Sequence, residues 1–280
     1  MKLIVPKIIH YCWFGDKPLS ANALRAIESW KKYAPGFEIR CCDESVLDIG
    51  EVAWTRDAYN AKKYAFVADY ARFRMVYDYG GVYMDLGSEL VRDITGLVET
   101  SSPFVALEER TRTVNSGLIL SAAPHEQLIA EMLARYESTV FKDDPDFLGK
   151  HTVNHMFTHL FEERGFVQED SRQMIDNWTI LPSRAFNPVY GFCGYHIKKD
   201  TYSIHRYSAS WSEPKFRTKR EVQEKITPFV GRRAGEIIGR TVAEIKHNGL
   251  RNVTKNLCTV AQSSARRVKG EMMRAAKDDE

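Results

Sequence analysis

The chain has 280 residues, 44% of them hydrophobic and 28% charged, with a net charge of +3. That balance fits a soluble globular protein with enough chain for one large domain or two small ones. It contains no apolar run of the about 18 residues that a membrane-spanning helix needs, and the opening MKLIVPKIIHYCWFGDK lacks the cleavage site of a signal peptide.

The elements follow in chain order. Leu3–Cys12 alternates and then runs apolar, which predicts a buried first strand ending at Trp13-Phe14-Gly15. Leu24, Ile27 and Trp30 recur at helical spacing between Ser20, a capping residue, and Tyr33. Phe37–Cys41 reads as a strand after the Pro35-Gly36 turn. Lys62–Tyr79 reads as a long helix closed by Gly80 or Gly81. Short strands are expected at Val82–Asp85, Phe104–Leu107 and Gly117–Ser121, and helices at His125–Glu137 and Phe147–Glu163. Trp178–Leu181 and Tyr202–His205 read as late strands before the loop Arg206–Pro214. Strands alternating with helices predict an α/β domain on a mostly parallel sheet.

The last 66 residues differ from the rest. Residues 215–280 hold 16 Lys and Arg against 8 Asp and Glu, while residues 1–214 hold 24 against 29. Val230, Ala234, Ile237, Ile238, Val242 and Ile245 form one apolar stripe at helical spacing, and Leu250, Val253, Leu257 and Val260 a second. Two readings stay open: a helical cap with a solvated basic face, or a helix lying on an anionic membrane. Nucleic-acid binding is not expected, because no reading motif or interleaved aromatics accompany the charge. The five cysteines, Cys12, Cys41, Cys42, Cys193 and Cys258, have no metal-type spacing, and a reducing, cytoplasmic setting is the expectation.

Chemistry concentrates between Lys62 and Glu89. Asp69 and Arg72, three apart on the long helix, project about 60° apart among apolar neighbours. They make either an intrahelical ion pair or a polar pair aimed into a cleft, where the planar Arg fork grips oxygens bidentately. Asp85 follows Val82-Tyr83-Met84 directly, which puts a carboxylate where a strand meets a loop. In open α/β sheets ligands bind at such places, and hard divalent cations take carboxylate oxygens.

The stretch AFVADYARFRMVYDYGGVYMDLG, with PKIIHYCWFG before it and NSGLILS and IHRYSASWS after it, resembles the glycosyltransferases of family 32. That group has a DxD sugar region and includes capsular polysaccharide transferases. The stretch is also similar to the catalytic domains of large clostridial glucosylating toxins. The resemblance covers about residues 5–214 and implies a GT-A-type fold, a Rossmann-like open sheet. Residues 1–214 would be the catalytic domain and 215–280 a basic helical C-terminal extension.

By resemblance, Trp13 would stack on the nucleotide base, with Tyr11 and Cys12 contacting base or ribose by backbone. Asp69 and Arg72 would hold the donor sugar and its diphosphate. Tyr83 and Asp85 would contact ribose, sugar and metal, and Asn115 would line the reaction centre. Ser210 and Trp211 would close over the diphosphate, with His205 as a metal ligand. The implied cofactor is Mn2+ or Mg2+. The implied reaction is retaining transfer from a UDP-sugar to a glycan or lipid-linked glycan, in capsule or O-antigen synthesis at the inner membrane face.

One position departs from the pattern: Gly87 stands where the second Asp of Asp-x-Asp belongs. Glu89 or His205 would then compensate as metal ligands, or metal binding would weaken. The alternative is a catalytically degenerate nucleotide-sugar-binding protein.

Overall fold

The structure is a computed structural model that describes residues 4–101, 103–207 and 214–249. The described residues fall into two compact units, one running to Val189 and including Tyr195–Tyr207, the other joining Tyr190–Gly194 to the C-terminal helix.

The first unit opens with β1 (Ile8–Cys12), α1 (Ala21–Tyr33), β2 (Glu38–Cys42), α2 (Ala53–Asn60) and α3 (Tyr64–Tyr79). Then come β3 (Gly81–Tyr83), β4 (Ser88–Leu90), α4 (Thr95–Ser101), β5 (Phe104–Leu107) and β6 (Val114–Ala122). It continues through α5 (Gln127–Glu137), α6 (Pro145–Lys150), α7 (Val153–Glu162), β7 (Gln173–Ile175) and β8 (Trp178–Leu181). It ends with β11 (Ser203–His205); the two-residue strands β9 (Tyr190–Gly191) and β10 (Gly194–Tyr195) come before it in the chain, with Tyr190–Gly194 counted in the second unit.

The main sheet has seven strands in the order β2-β1-β3-β6-β5-β8-β7. Parallel pairing joins β1 to β2 and β3, and β5 to β8, whereas β6 and β7 run against their neighbours. Five strands therefore share one direction, and the fold is the α/β domain on a mostly parallel sheet that the alternating pattern predicts. Apolar clusters lie on both faces. Val67, Phe73, Trp54, Phe157 and Trp178 fill one, and Trp30, Phe37, Leu118 and Phe186 the other. With both faces covered, all nine residues of β6 are buried, Asn115, Ser116 and Ser121 among them.

Local signals hold where they were strongest. The Ser20 hydroxyl accepts from the Ala23 amide and opens α1. The junction of α3 and β3 needs its glycines: Gly80 and Gly81 have φ of +63° and +102°. A Cβ on Gly80 would lie 2.6 Å from Pro124 Cδ, and one on Gly81 2.7 Å from the Ile8 carbonyl oxygen. The His10 ring pins this turn, with Nε2 donating to the Gly80 carbonyl at 2.9 Å. Phe147–Glu163, expected as one helix, is α6 and α7. Thr152 caps the second with its side chain on the His155 amide. Short elements such as α2 and β4 carry too few residues for a period to show.

In the second unit α8 (Pro214–Asn248) turns at Gly231, whose φ of 79° and ψ of 168° are not helical, so it forms two arms. Gly235, Gly239 and Ala243 are its buried small residues, and Lys215 pairs with Glu244 and Lys219 with Glu236 between the arms. The apolar stripe, which the sequence left open to packing or to a membrane surface, faces outward: Ile237 is 66% exposed, and Phe229 beside the turn 77%. Small residues win the contact because they let the arms approach closely. The second predicted stripe, Leu250 to Val260, lies outside the described residues.

Candidate active site

Because β1, β3 and β5 run the same way, their carboxyl ends share one edge of the sheet, and antiparallel β6 begins there. Trp13, Asp85, Asn115 and Glu108 stand along this rim in strand order. It is the side of an open α/β sheet on which ligands bind.

The centre is Arg72. Its Nη2 lies 2.7 Å from Asp69 Oδ1 and 3.5 Å from Asp85 Oδ1, and Nη1 lies 3.4 Å from the Ser116 hydroxyl. Nε donates to the Ala68 carbonyl at 3.2 Å, and the guanidinium sits over the Tyr83 ring, 4.9 Å from its centroid. The Tyr83 hydroxyl donates to Asp85 Oδ1 at 2.8 Å. Both partners on the helix are buried, at 9% exposure for Asp69 and 5% for Arg72, whereas the Asp85 side chain is 36% exposed. Asp85 is thus the carboxylate that faces outward, and Asp69 fixes the arginine from behind.

Electrostatics follow from this burial. Desolvation pushes the Asp69 carboxyl up to about 6, with Arg72 offsetting part of the rise. Burial also works against the charge on Arg72, but Asp85, Tyr83 and Asp69 more than offset it and hold the guanidinium charged. The Cys12 thiol beneath is pushed up by burial and by Cys42, which makes it a poor nucleophile.

A break in register builds the opposite wall. Val105 pairs with Leu120, but the next residue, Ala106, pairs with Asn115, so β6 accommodates Ser116–Ile119 as a bulge. Asn115 Oδ1 holds the bulge by accepting from the amides of Gly117 (2.9 Å) and Leu118 (3.3 Å). The bulge brings the Gly117 carbonyl onto the Asp85 amide at 2.8 Å. It also leaves no room at Gly117, where a Cβ would lie 2.0 Å from Asp85 Oδ2.

Asp69, Arg72, Tyr83, Asp85 and Asn115 are therefore brought together. Trp13 reaches the rim, held by its ring N–H on the Lys17 carbonyl at 2.7 Å. Tyr11 and Cys12 lie inside β1, paired in register with Cys41 and Cys42 of β2. The Tyr11 ring turns toward Trp30, 6.0 Å away. Ser210 and Trp211 lie outside the described residues.

Glu89 does not join Asp85. It sits opposite Ile204 in the β4–β11 pair and bonds Arg206 Nε at 2.7 Å. His205 sits opposite Ser88, so alternation sends Glu89 and His205 to opposite faces. Of the two expected substitutes for the missing Asp, only His205 approaches position 87. Among the described residues no three His, Cys, Asp or Glu side chains form a metal cluster. The Asp85 carboxylate is the donor that suits a hard cation, and the His205 ring, beside position 87, is the nitrogen donor the structure brings nearest to it in the motif. A divalent ion can be held by so few protein groups when substrate phosphate oxygens complete its shell.

The sequence did not single out Glu108, Asn154, Asn187 or Tyr207. Glu108 directly follows β5 in the charged hairpin EERTRT, which looks like any solvated turn. Its Oε2 accepts from Asn115 Nδ2 (3.5 Å) and Asn154 Nδ2 (3.3 Å), and its Oε1 from the Tyr207 hydroxyl (3.4 Å). Asn187 Nδ2 in turn donates to the Tyr207 hydroxyl.

Residues 20–104 match the family described as "Glycosyltransferase sugar-binding region containing DXD motif". Among solved structures the chain is similar to the PaToxG glycosyltransferase, at 16% identity and a TM-score of 0.44, covering 57% of this chain and 68% of that one. It is also similar to a glycosyltransferase involved in the glycosylation of the major capsid of PBCV-1, at 12% identity and a TM-score of 0.41, covering 79% of this chain and 100% of that one. No curated protein matches the chain. The matched region carries Asp69, Arg72, Tyr83 and Asp85, and within it Gly87 stands where the second Asp of the motif would be.

Proposed function

We propose that the protein transfers a sugar with retention from a UDP-sugar to a hydroxyl of a glycan or lipid-linked glycan, in the synthesis of a surface polysaccharide such as capsule or O-antigen. The catalytic machinery is assigned to residues 1–214 and the extension to 215–280. The observation that carries this reading is Arg72 held between buried Asp69 and outward Asp85 at the carboxyl rim of the sheet.

Trp13 stacks on the base, and Tyr83 and Asp85 take the ribose and sugar. Arg72 faces the diphosphate, where its fixed charge stabilises the departing oxygens without reorganisation. The bond from the anomeric carbon to the diphosphate oxygen breaks, and the diphosphate leaves with the electron pair. The acceptor oxygen bonds the same face of that carbon while its proton passes to the leaving phosphate oxygen. Asn115 lines this centre; Ser210 and Trp211, outside the described residues, are assigned to the donor diphosphate by resemblance alone. Asp85 and His205 would hold Mn2+ or Mg2+, which supplies positive charge to the leaving group. Positioning contributes the rest.

The apolar residues that α8 leaves outward, with Arg232, Arg233 and Arg240 on the same arm, support peripheral attachment to an anionic membrane at its cytoplasmic face. Among the described residues no helix is long and apolar enough to cross a membrane. Gly87 favours one other reading, a nucleotide-sugar binder without turnover. A screen of nucleotide sugars for released nucleoside diphosphate, with and without manganese, separates the two: the transferase releases it, and the binder shows only a ligand-raised melting temperature.

A further inference from the structure

Glu108 receives donors from three segments distant in sequence: Asn115 on β6, Asn154 in the first turn of α7, and Tyr207 after β11. The orientation of Asn115 is fixed, because its Oδ1 is committed to the bulge amides. Its Nδ2 therefore points toward Glu108. The carboxylate is half-buried at the end of β5, on the rim that carries Trp13 and Asp85. Neighbouring strands are ~4.8 Å apart, so β5, two places along from β3, stands roughly 10 Å beyond the Asp85 strand. A nucleotide laid from Trp13 across Asp85 runs out toward Asn115 and Glu108, where its sugar must lie.

These three bonds, at 3.3–3.5 Å, are at the long end for N–H and O–H donors. Sugar hydroxyls approach carboxylates at about 2.7 Å. Two adjacent hydroxyls can engage both oxygens of one carboxylate, and a hydroxyl of the wrong configuration leaves one oxygen unmatched. Sites built to hydrogen-bond a hydroxyl discriminate strongly for this reason.

From this arrangement we propose that Glu108 binds ring hydroxyls of the transferred sugar and sets which sugar the enzyme accepts, with Asn154 and Tyr207 as its positioning residues. The proposal rests on the UDP-sugar reading of the same site. Its test measures the affinity of the full chain for UDP, UDP-glucose, UDP-galactose and UDP-N-acetylglucosamine, in wild type, Glu108→Gln and Glu108→Ala.

The expected result is UDP affinity within twofold of wild type in both variants. The preferred sugar nucleotide should bind at least tenfold more weakly to Glu108→Ala, and the ratio between the UDP-glucose and UDP-galactose affinities should shrink. Glu108→Gln, of the same shape, should retain the melting temperature but lose discrimination. Variants that keep the wild-type ratios, or that lose UDP and UDP-sugar affinity in equal measure, overturn the proposal alone. A wild type that binds UDP but none of the sugar nucleotides overturns the donor reading and Glu108 with it.

Discussion

The His205 imidazole occupies the space that a side chain at Gly87 would claim: Nε2 lies 2.9 Å from where a Cβ on Gly87 would be, and the Arg206 carbonyl oxygen 2.8 Å. The missing second Asp is thus coupled to a histidine and to backbone that have closed over its place. Restoring the motif in sequence does not restore it in space. Gly87→Asp should therefore lower the melting temperature by several degrees, in line with ~1–3 kcal/mol of overpacking in a dense site, and should not tighten manganese binding. Thermal melts and manganese titration check both.

Gly117 faces Asp85 as closely. With Oδ2 2.0 Å from a Cβ at this position, Gly117→Ala must push Asp85 off its bond with the Tyr83 hydroxyl. A displacement of about 1 Å at the reacting centre costs on the order of 100-fold in rate. Donor hydrolysis by Gly117→Ala should fall by that factor, while the far-UV circular dichroism spectrum stays that of the wild type.

Asp69 gives the site a pH dependence. Burial holds its carboxyl at about 6 against an ordinary 3.8. As pH falls through 6 it takes up a proton and loosens its grip on Arg72, so kcat/KM for donor hydrolysis should show an acid limb near pH 6. Asp69→Asn should be slower and lack that limb. Stability runs the other way. A raised carboxyl pKa favours the folded state fully below 3.8, and this contribution is lost as pH rises through 6. The melting temperature of wild type relative to Asp69→Asn should therefore fall between pH 4 and pH 7.

The outward face of α8 predicts a surface effect. Phe229→Glu and Ile237→Glu, both at exposed positions, should leave the melting temperature unchanged. They should sharply reduce cosedimentation with phosphatidylglycerol-rich vesicles, to which the wild type should bind more tightly than to phosphatidylcholine vesicles. Wild-type protein that fails to sediment with anionic vesicles would count against membrane attachment.

Legibility in the sequence tracked the range of the interaction. The cap at Ser20, the glycine stop after Tyr79, and the strands Phe104–Leu107 and Trp178–Leu181 are set by neighbours in sequence, and they stand where local patterns put them. The ion pair of Asp69 and Arg72 was readable for the same reason, being one helical turn long. What could not be read depends on register. Glu89 looked like a reserve ligand two residues after Gly87, but strand alternation against β11 turns it to Arg206. Glu108 looked like a surface charge, and only the fold brings Asn154 and Tyr207 to it. The Ile237 stripe had the right period for a packing face, but the smaller residues beside it made the closer fit.

The account stands most directly on one measurement: nucleoside diphosphate released from a panel of UDP- and GDP-sugars, in manganese, by wild type and Asp85→Ala. The account predicts release by wild type from at least one UDP-sugar and at least a tenfold loss in Asp85→Ala, with UDP still bound by both. Binding of UDP-sugars without any release, or equal release by wild type and Asp85→Ala, would contradict it.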